Sequence, residues 1–577
     1  MSGVRAAPRL WPSGLRAAVC MGTPVLAGWL LGDLTAGLVA TLGAFTGLYG
    51  GGRPYVNRAR LLAVIALSLS AAVGLGMWAA AITWVGVLTV AAIASAATLL
   101  CNALDVGPPG AYQFGLVCAI GTGLHTQHQH PLLLALFALA GGAFAWAVHM
   151  TGALLAPRRP EKSAVAAAGL AVAEYIEAIG TERQDAARHR AALATNRAWT
   201  TVVDRQPRHS RVGKTVARLR LLNSELSLLF ADAIQRARTD TAANADAATS
   251  ARDIAHQAFA SPARGKSAPA DRMMPDRPSL WALLKRNLHP LSPSFVVVAR
   301  VAVATVLAGT VGALLSLQHA YWAMAAAVVV LHQDAYHRRT IYRGLQRVLG
   351  TWLGVGLAAA VLGAHPDGLS IVALVAAMMV LNFLIEVTVV RNYTVAVVFI
   401  TAAALLTATG GRPDTHLASV LLARGLDNAV GCAVAVTVFL LMPTAVAAWL
   451  PKMIAEALDT VTITIACLST GTIVTPAARA VRRDLQQCAL RLHQSYDNAI
   501  NGTPAQREAA GRVRPAMEAT QQLIHRTIAE CWRLEWHVRQ RHQSPPVPIP
   551  DPREVLTPMV QSAKAHSTAL SRGRLRG

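Results

Sequence analysis

The sequence Asn-Ala-Leu-Asp at residues 102–105 ends seven residues before Tyr112, and Asn-Phe-Leu-Ile-Glu at residues 382–386 ends seven residues before Tyr393. Each stretch closes a long apolar run, and each places a carboxylate ahead of a tyrosine at the same interval. Two alanine-rich apolar runs can resemble one another by chance, but shared charged and aromatic landmarks are harder to explain in that way. The match suggests that the chain carries one apolar module twice.

Landmarks on either side of these stretches repeat in the same order. They are, first copy then second, Arg16 and Arg300, Gly28 and Gly312, and the basic loops at 53–60 and 337–343. This order predicts two related modules, at about 16–156 and 300–443, with parallel topology because each holds an even number of spans. Duplicated membrane halves are typical of transporters.

Composition indicates an integral membrane protein, because 54% of the 577 residues are hydrophobic and the mean hydropathy is +0.40. The expected fold is all-α, with two repeated six-helix transmembrane bundles alternating with cytoplasmic helical segments. The predicted spans are 16–32, 35–50, 61–78, 80–101, 111–124, 132–155, 300–317, 319–335, 346–363, 368–387, 393–410 and 416–442. Several of these intervals are shorter than the ~20 residues of an upright membrane helix, so span number and boundaries stay open.

Basic residues in the predicted loops are concentrated on one side of the membrane. That side holds Arg53, Arg58, Arg60, Arg158, Arg159, Arg338, Arg339, Arg343 and Arg391, and the other side holds Arg412. This asymmetry follows the positive-inside rule and predicts cytoplasmic N- and C-termini. The net charge of +23 is accordingly interpreted as contact with anionic lipid headgroups rather than with nucleic acid.

Two polar segments with helical periodicity follow the two modules. The first carries the apolar stripe Leu219, Leu222, Leu226 and Leu229, and a similar stripe in the second begins at Ile454 and Leu458. The predicted domains are a first transmembrane domain (1–156), a cytoplasmic helical segment (157–238), a flexible linker (239–290), a second transmembrane domain (291–443), a second cytoplasmic helical segment (444–543) and a mostly disordered tail (544–577).

Catalytic, metal and cofactor motifs give weak signals in this chain. The Gly213-Lys214-Thr215 sequence resembles the end of a phosphate-binding loop, but Arg208 stands where that loop requires its first glycine. The seven cysteines are scattered, without a Cys-x-x-Cys pair, which argues against a zinc site or disulfides. We therefore predict no enzyme activity, no cofactor and no metal site.

Ionisable residues within or beside apolar spans are the sharper signal, because a charge in the middle of a membrane costs roughly 2.5–3.5 kcal/mol on insertion scales. Arg424 and Asp427 lie one turn apart, where they either form an ion pair that fixes helix packing or bind a substrate or proton. Asp105 and Glu386 occupy matching ends of their spans and are either solvated helix ends or proton carriers.

The second module contains an ordered series of motifs. The series consists of Tyr321-Trp322, His-Gln-Asp at 332–334, Leu-Gln-Arg-Val-Leu-Gly-Thr-Trp-Leu-Gly at 345–354, Asn-Tyr-Thr-Val-Ala-Val-Val-Phe-Ile-Thr at 392–401 and Arg-Gly-Leu-Asp-Asn-Ala-Val-Gly at 424–431. It resembles the fusaric acid resistance family, also called the aromatic acid exporter family. The resemblance implies an efflux protein of the bacterial inner (plasma) membrane that exports aromatic carboxylates or related toxic compounds, with energy from the proton gradient.

Site residues follow from this resemblance and from the internal repeat. The candidates for the substrate and ion pathway are Tyr321, Trp322, Asp334, Arg347, Glu386, Tyr393, Arg424, Asp427, Asp105 and Tyr112. In this hypothesis the arginines attract the carboxylate, Tyr393 and Trp322 contact the ring, and Asp427 or Glu386 exchanges a proton. The residues after Tyr321-Trp322 are Ala-Met-Ala-Ala, and the first module lacks the Tyr-Trp pair, so the substrate is not carried over.

Three functions therefore remain open on sequence grounds. The first is proton-driven efflux of organic anions, and the second is passive anion conduction, as a more distant similarity to plant aluminium-activated malate channels implies. The third is a membrane-anchored envelope scaffold without transport. The predicted partners are the lipid bilayer, small organic anions, protons and a second copy of the chain as a homo-oligomer.

Overall fold

The computed structural model describes most of the chain, and every regular element in the described residues is a helix. The described ranges are 11–124, 130–206, 214–237, 245–260, 280–288, 292–315, 320–332, 337–413, 417–442, 446–470, 475–540, 560–561 and 565. The all-α, multi-helix membrane class expected from the sequence is confirmed by these helices and by their apolar composition.

The first half of the chain contains ten α-helices in these ranges. They are α1 (Trp11–Leu30), α2 (Leu34–Ala44, continued by a 3-10 turn Phe45–Leu48), α3 (Tyr55–Ala79), α4 (Thr83–Ala103), α5 (Tyr112–Gly123), α6 (Pro131–Leu155), α7 (Arg159–Glu177), α8 (Gln184–Trp199, followed by a π-helical turn Thr200–Asp204), α9 (Lys214–Arg236) and α10 (Ala245–Gln257). Each of the six predicted spans of the first module is largely occupied by one of the helices α1–α6.

The second half contributes the remaining ten described helices. They are α11 (Leu280–Leu288), α12 (Pro293–Leu314), α13 (Ala320–Leu331), α14 (His337–Gly363), α15 (Ile371–Thr388), α16 (Tyr393–Thr409), α17 (Leu417–Leu441), α18 (Val446–Ser469), α19 (Pro476–Ile500) and α20 (Pro504–Gln540). Helices α12–α17 occupy the six spans predicted for the second module. Their arrangement as a repeat of the first bundle stays a prediction.

Seven helices are long and apolar enough to cross a membrane in the part of the chain that the structure describes, namely α3, α4, α6, α12, α14, α15 and α17. The segments Leu34–Leu48, Ala320–Leu331 and Tyr393–Thr409 are apolar but shorter. At 1.5 Å per residue, the 12 residues of α13 extend only about 18 Å, less than the ~30 Å hydrocarbon core. All residues of α13 from Trp322 to Leu331 are buried, so this helix is surrounded by other helices rather than by lipid.

The chain divides into two compact units. The first, here called the membrane unit, comprises Met1–Gly51, Arg58–Leu154 and Ser279–Thr444, and the second unit comprises Gly52–Asn57, Leu155–Pro278 and Ala445–Gly577. Helices α1–α6, apart from the first residues of α3, and α11–α17 therefore belong to the membrane unit. Helices α7–α10 and α18–α20 belong to the second unit.

Helices of the two sequence modules pack directly against each other inside the membrane unit. Helix α1 packs along α15, α4 along α12, and α5 along α13. Small residues permit such approaches, because a Cβ added to Gly22 would overlap the side chain of Met379. The large apolar cluster of this unit accordingly contains residues of both modules, from Val39 to Phe439.

Apolar stripes predicted in the polar segments are buried within the second unit. Leu219, Leu222 and Leu226 lie in one cluster, and Ile454 and Leu458 lie in another. Both stripes have the helical spacing that places apolar side chains on one face.

The interval 239–290, for which the sequence predicts a flexible linker, contains the helices α10 and α11. In α10 the side chains of Ala248, Ala251, Ile254 and Ala255 are buried, and the helix packs against α7. Alanine contributes little apolar signal to a sequence pattern, but it has the highest helix propensity and allows close helix contact.

Candidate functional site

A cavity of about 1800 Å³ lies inside the membrane unit. Helices of both modules wall it, including α1, α2 and α5 from the first and α13, α15, α16 and α17 from the second. Binding sites for drug-sized ligands usually measure about 300–1,000 Å³. The size and the internal position of this cavity make it the candidate site.

The cavity reaches both ends of the helices that enclose it. At one end it is lined by Ser13, near the start of α1, and Glu386, near the end of α15. At the other it is lined by Leu34 at the start of α2, Thr409 at the end of α16, and Arg412 just beyond it. Since α1 has 20 residues, its length is about 30 Å. The cavity therefore follows the helices over most of a membrane thickness.

Arg424, Trp322 and Tyr321, three of the predicted site residues, lie together at the wall of this cavity. Arg424 on α17 is 4% exposed, and its guanidinium carbon lies 4.5 Å from the centre of the Trp322 ring. The rings of Tyr321 and Trp322 meet edge to face at 5.3 Å. A guanidinium over an aromatic face is attracted by the ring quadrupole, and this attraction is stronger where water is excluded.

Arg347 connects the two modules beside this group. It is 3% exposed, its Nε donates a hydrogen bond to Oδ1 of Asn428 at 3.2 Å, and its Nη2 donates to the hydroxyl of Tyr112 at 3.3 Å. Tyr112 comes from α5 and lines the cavity, whereas Asn428 belongs to α17. Arg347 therefore links α5 of the first module to α17 of the second, although it does not itself line the cavity.

The charges of this group do not cancel. Arg347 and Arg424 repel one another electrostatically, and Asp427 is the acidic group that attracts Arg424. Asp427 is completely buried, yet neither of its carboxylate oxygens accepts a hydrogen bond. The ion pair considered from the one-turn spacing of Arg424 and Asp427 is not among the pairs within 4.0 Å in the described ranges. With two cations and one carboxylate, this group favours an anion.

Glu386 forms part of a second polar group, at the Ser13 end of the cavity. The hydroxyl of Ser13 donates a hydrogen bond to Oε2 of Glu386 at 3.2 Å, and Arg16 lies close enough to interact electrostatically with the same carboxylate. This neighbourhood differs from that of the matching residue in the first module, because Asp105 is exposed in the turn after α4 with a φ of 46°. The shared position in the repeat therefore does not give the two carboxylates the same environment.

Several polar residues of the cavity wall are not among the site residues predicted from the sequence. Ser13 and Gln113 line the cavity but carry no recognisable motif. His149 also lines it and receives a hydrogen bond from Nη2 of Arg58 on its Nδ1 at 2.8 Å, which leaves Nε2 as the protonated nitrogen. A single histidine inside the apolar span 132–155 was an available signal for this position.

Two further predicted site residues do not line the cavity, and a third falls outside the described residues. Tyr393 begins α16 behind the wall, where its side chain interacts electrostatically with Arg347 and its ring lies 5.6 Å from the guanidinium carbon of Arg343. Asp105, in its exposed turn, is likewise absent from the wall. Asp334 belongs to the segment 333–336, outside the described residues.

The apolar helices, with a large internal cavity among them, define a polytopic membrane protein. Residues 306–438 match the family model described as fusaric acid resistance protein-like. The resemblance to that family predicted from the sequence is thereby confirmed, and the match covers α13–α16 completely, most of α17 and the C-terminal part of α12. A family of this type indicates a membrane transport protein rather than an enzyme.

A curated relative extends the similarity to nearly the whole chain. The uncharacterized membrane protein YvaC of Bacillus subtilis (strain 168) is 26% identical over 579 aligned positions, which cover 95% of this chain and 88% of the relative. No solved structure matches significantly. The relative supports membrane location for both modules, including the first, which lies outside the family match.

Proposed function

We propose that this chain is a plasma-membrane efflux transporter of aromatic carboxylic acids or related organic anions, driven by the proton gradient. The observation that carries the proposal is the cavity of about 1800 Å³ with the buried Arg424 in its wall. A buried cation without a close counter-ion favours binding of an anion, and a carboxylate can accept two parallel hydrogen bonds from a guanidinium.

The aromatic side chains beside Arg424 support a cargo that carries a ring. Trp322 and Tyr321 lie at the cavity wall, where their faces and edges can pack against a planar ligand. The ring of Tyr112, at 5.7 Å from the guanidinium carbon of Arg347, provides a third aromatic surface. An aromatic carboxylate would thus meet cation and ring partners within one group of residues.

Two carboxylates are the candidates for proton coupling. Glu386 lines the cavity next to Ser13, and Asp427 is buried without a hydrogen bond to its oxygens. Neutral and ionised forms of such groups differ greatly in how well a dry site tolerates them, so protonation changes the charge that a bound anion encounters. We infer that one of them exchanges a proton during transport.

The test uses the full-length chain in proteoliposomes loaded with a radiolabelled aromatic acid. An external pH below the internal pH should accelerate loss of the label from wild-type vesicles, and Glu386→Gln or Asp427→Asn should remove this acceleration. Arg424→Gln should weaken acid binding about tenfold or more, because a hydrogen bond to a charged group is worth roughly 1.5–3 kcal/mol. Arg391→Gln, which alters an exposed loop arginine, is the matched control and should behave like wild type.

Passive anion conduction is the second candidate, and the reach of the cavity to both ends of its helices favours it. In that case the rate of loss would follow the membrane potential and would be equal with and without a pH gradient. Equal loss with and without the protein, under either gradient, would contradict both candidates.

A further inference from the structure

The cavity of the membrane unit is far larger than one aromatic ring requires. A cavity of about 150 Å³ is sufficient to hold benzene, and the volume here is about 1800 Å³. A single-ring acid bound at Arg424 would leave most of this space without protein contacts. The dimensions of the cavity therefore carry information about the size of its ligand.

One wall of the cavity is a continuous apolar stripe along α2 and the 3-10 turn that continues it. The stripe consists of Leu34, Leu38, Leu42, Phe45 and Leu48, all of which line the cavity. Their spacing of three or four residues places them on a single helix face. From Leu34 to Leu48 the stripe is about 20 Å long, which is the length of an extended ligand rather than a compact one.

Arg424 is associated with the first part of this stripe. Trp322, which stacks with Arg424, belongs to the same apolar cluster as Leu34 and Leu38, whereas Leu42, Phe45 and Leu48 belong to another cluster. Among the described residues, the charged side chains of the cavity wall are Glu386, Arg412 and Arg424. The cavity thus has Arg412 and Arg424 on the side of the first stripe residues, Glu386 beside Ser13 at the opposite end, and the apolar stripe between them.

We propose that the cavity binds an elongated amphipathic carboxylate, with its carboxylate at Arg424 and its apolar chain along the α2 stripe. This proposal rests on the proposed function and specifies its substrate class. Met21 and Met324, which also line the cavity, suit chains of varied shape because methionine side chains are flexible and polarizable.

The experiment measures competition by unbranched carboxylates of four to ten carbons against transport of a labelled aromatic acid in proteoliposomes. Burial of each added CH₂ is worth about 0.8 kcal/mol, so the inhibition constant should fall by about fourfold per carbon. Arg424→Gln should weaken every member of the series by a similar factor, because the carboxylate is common to all of them.

Two variants separate binding along the stripe from partition of the longer acids into lipid. Ala17 lines the cavity beside Ser13, two turns of α1 before Val25, which clusters with Trp322. Ala17→Trp should therefore shorten the cavity and weaken only the longer acids. Leu38→Asn keeps the branched shape of the side chain but makes this part of the stripe polar, so each added carbon should lower the inhibition constant by a smaller factor. Partition of an acid into lipid does not depend on the protein variant. The ratio of a variant's inhibition constant to the wild-type constant is therefore independent of partition.

The outcomes separate this proposal from the proposed function. If wild type transports short aromatic acids but its inhibition constants are flat across the series, the elongated ligand is wrong and the efflux function stands. If each added carbon lowers the inhibition constant by the same factor in wild type, Ala17→Trp and Leu38→Asn, the stripe does not bind the apolar chain of the ligand. If no carboxylate is transported or competes, the proposed function itself fails.

Discussion

At the level of single residues, the sequence identifies some of the residues at the cavity and misses others. Arg424, Trp322 and Tyr321 were identifiable from their motifs, and they meet at one cavity wall. Ser13 and Arg16 were not, because their relation to Glu386 is created by contact between segments separated by 373 positions. A sequence shows that a charge sits in an apolar span, but its partners depend on helix packing.

A group of histidines in the second unit shows the same dependence. The rings of His189 on α8 and His493 on α19 stack with their centroids 3.6 Å apart, and Nε2 of His493 lies 3.3 Å from Oδ2 of Asp497. Burial, together with His493, lowers the pKa of His189 to about 4. Burial, together with the nearby Arg188, lowers the pKa of His525 on α20 to about 3.

These histidines predict that the second unit loses stability in mild acid. His525 stays neutral in the folded unit but binds a proton in the unfolded chain below its ordinary pKa of about 6.5, so stability is complete above that pH and falls as the pH decreases. By pH 4 the loss from His525 should be about 3 kcal/mol. Hydrogen–deuterium exchange protection of α8, α19 and α20, measured between pH 7 and pH 4, tests this expectation.

His525→Gln should flatten this pH dependence, whereas His256→Gln, which alters an exposed histidine, should leave it unchanged. An identical slope in His525→Gln and wild type would show that His525 does not contribute to acid sensitivity.

The presence of the helices is predicted well from the sequence, whereas the residues at which they begin and end are predicted poorly. All twelve apolar intervals contain a helix, because long apolar runs without charges have few alternatives in a membrane. The interval 319–335 illustrates the limit, since α13 ends at Leu331 and is enclosed by protein. Apolar composition alone does not distinguish a helix that faces lipid from one buried among other helices.

Close crossing of α2 and α6 depends on glycine. A Cβ added to Gly43 would overlap the carbonyl oxygen of Ala138, and one added to Gly141 would overlap that of Ala40. The two contacts are reciprocal, so each helix presents a glycine to the backbone of the other. We expect Gly43→Ala and Gly141→Ala each to destabilise the protein by about 1–3 kcal/mol, as overpacking generally does.

The thermal midpoint of the detergent-solubilised chain provides the measurement. Gly356→Ala on α14 is the matched control, since a Cβ there would meet nothing within 4 Å, and it should unfold at the wild-type temperature. Wild-type midpoints for both Gly43→Ala and Gly141→Ala would mean that α2 and α6 can move apart to accommodate the added methyl group without a loss of stability.

The whole molecule combines a strongly apolar unit with a polar helical unit made mainly of two long chain segments, 155–278 and 445–577. The basic loops predict that both segments of the second unit lie on the cytoplasmic side. The test attaches a membrane-impermeant maleimide to single cysteines placed in a cysteine-free chain. In intact cells, Glu182→Cys and Glu508→Cys should be protected, and Asp367→Cys should react.

All three positions are exposed in the structure, so protection reports the membrane side rather than burial. Labelling of Glu182→Cys or Glu508→Cys in intact cells would contradict the predicted orientation. Labelling of all three after the cells are permeabilised provides the internal control.

The packing of α1 along α15 has a consequence for biosynthesis. Gly14 of α1 lies against the ring of Phe383 in α15, so the ribosome adds 369 residues after the first of these partners before it reaches the second. At about 5–20 residues per second, that interval lasts roughly 20–70 s. During it, the earliest helix must reside in the bilayer, or be held by the insertion machinery, with its partner face uncovered. If the first module were translated alone, α1 would lack its partner helix α15. We therefore expect the isolated module to be degraded by membrane quality control rather than to function by itself.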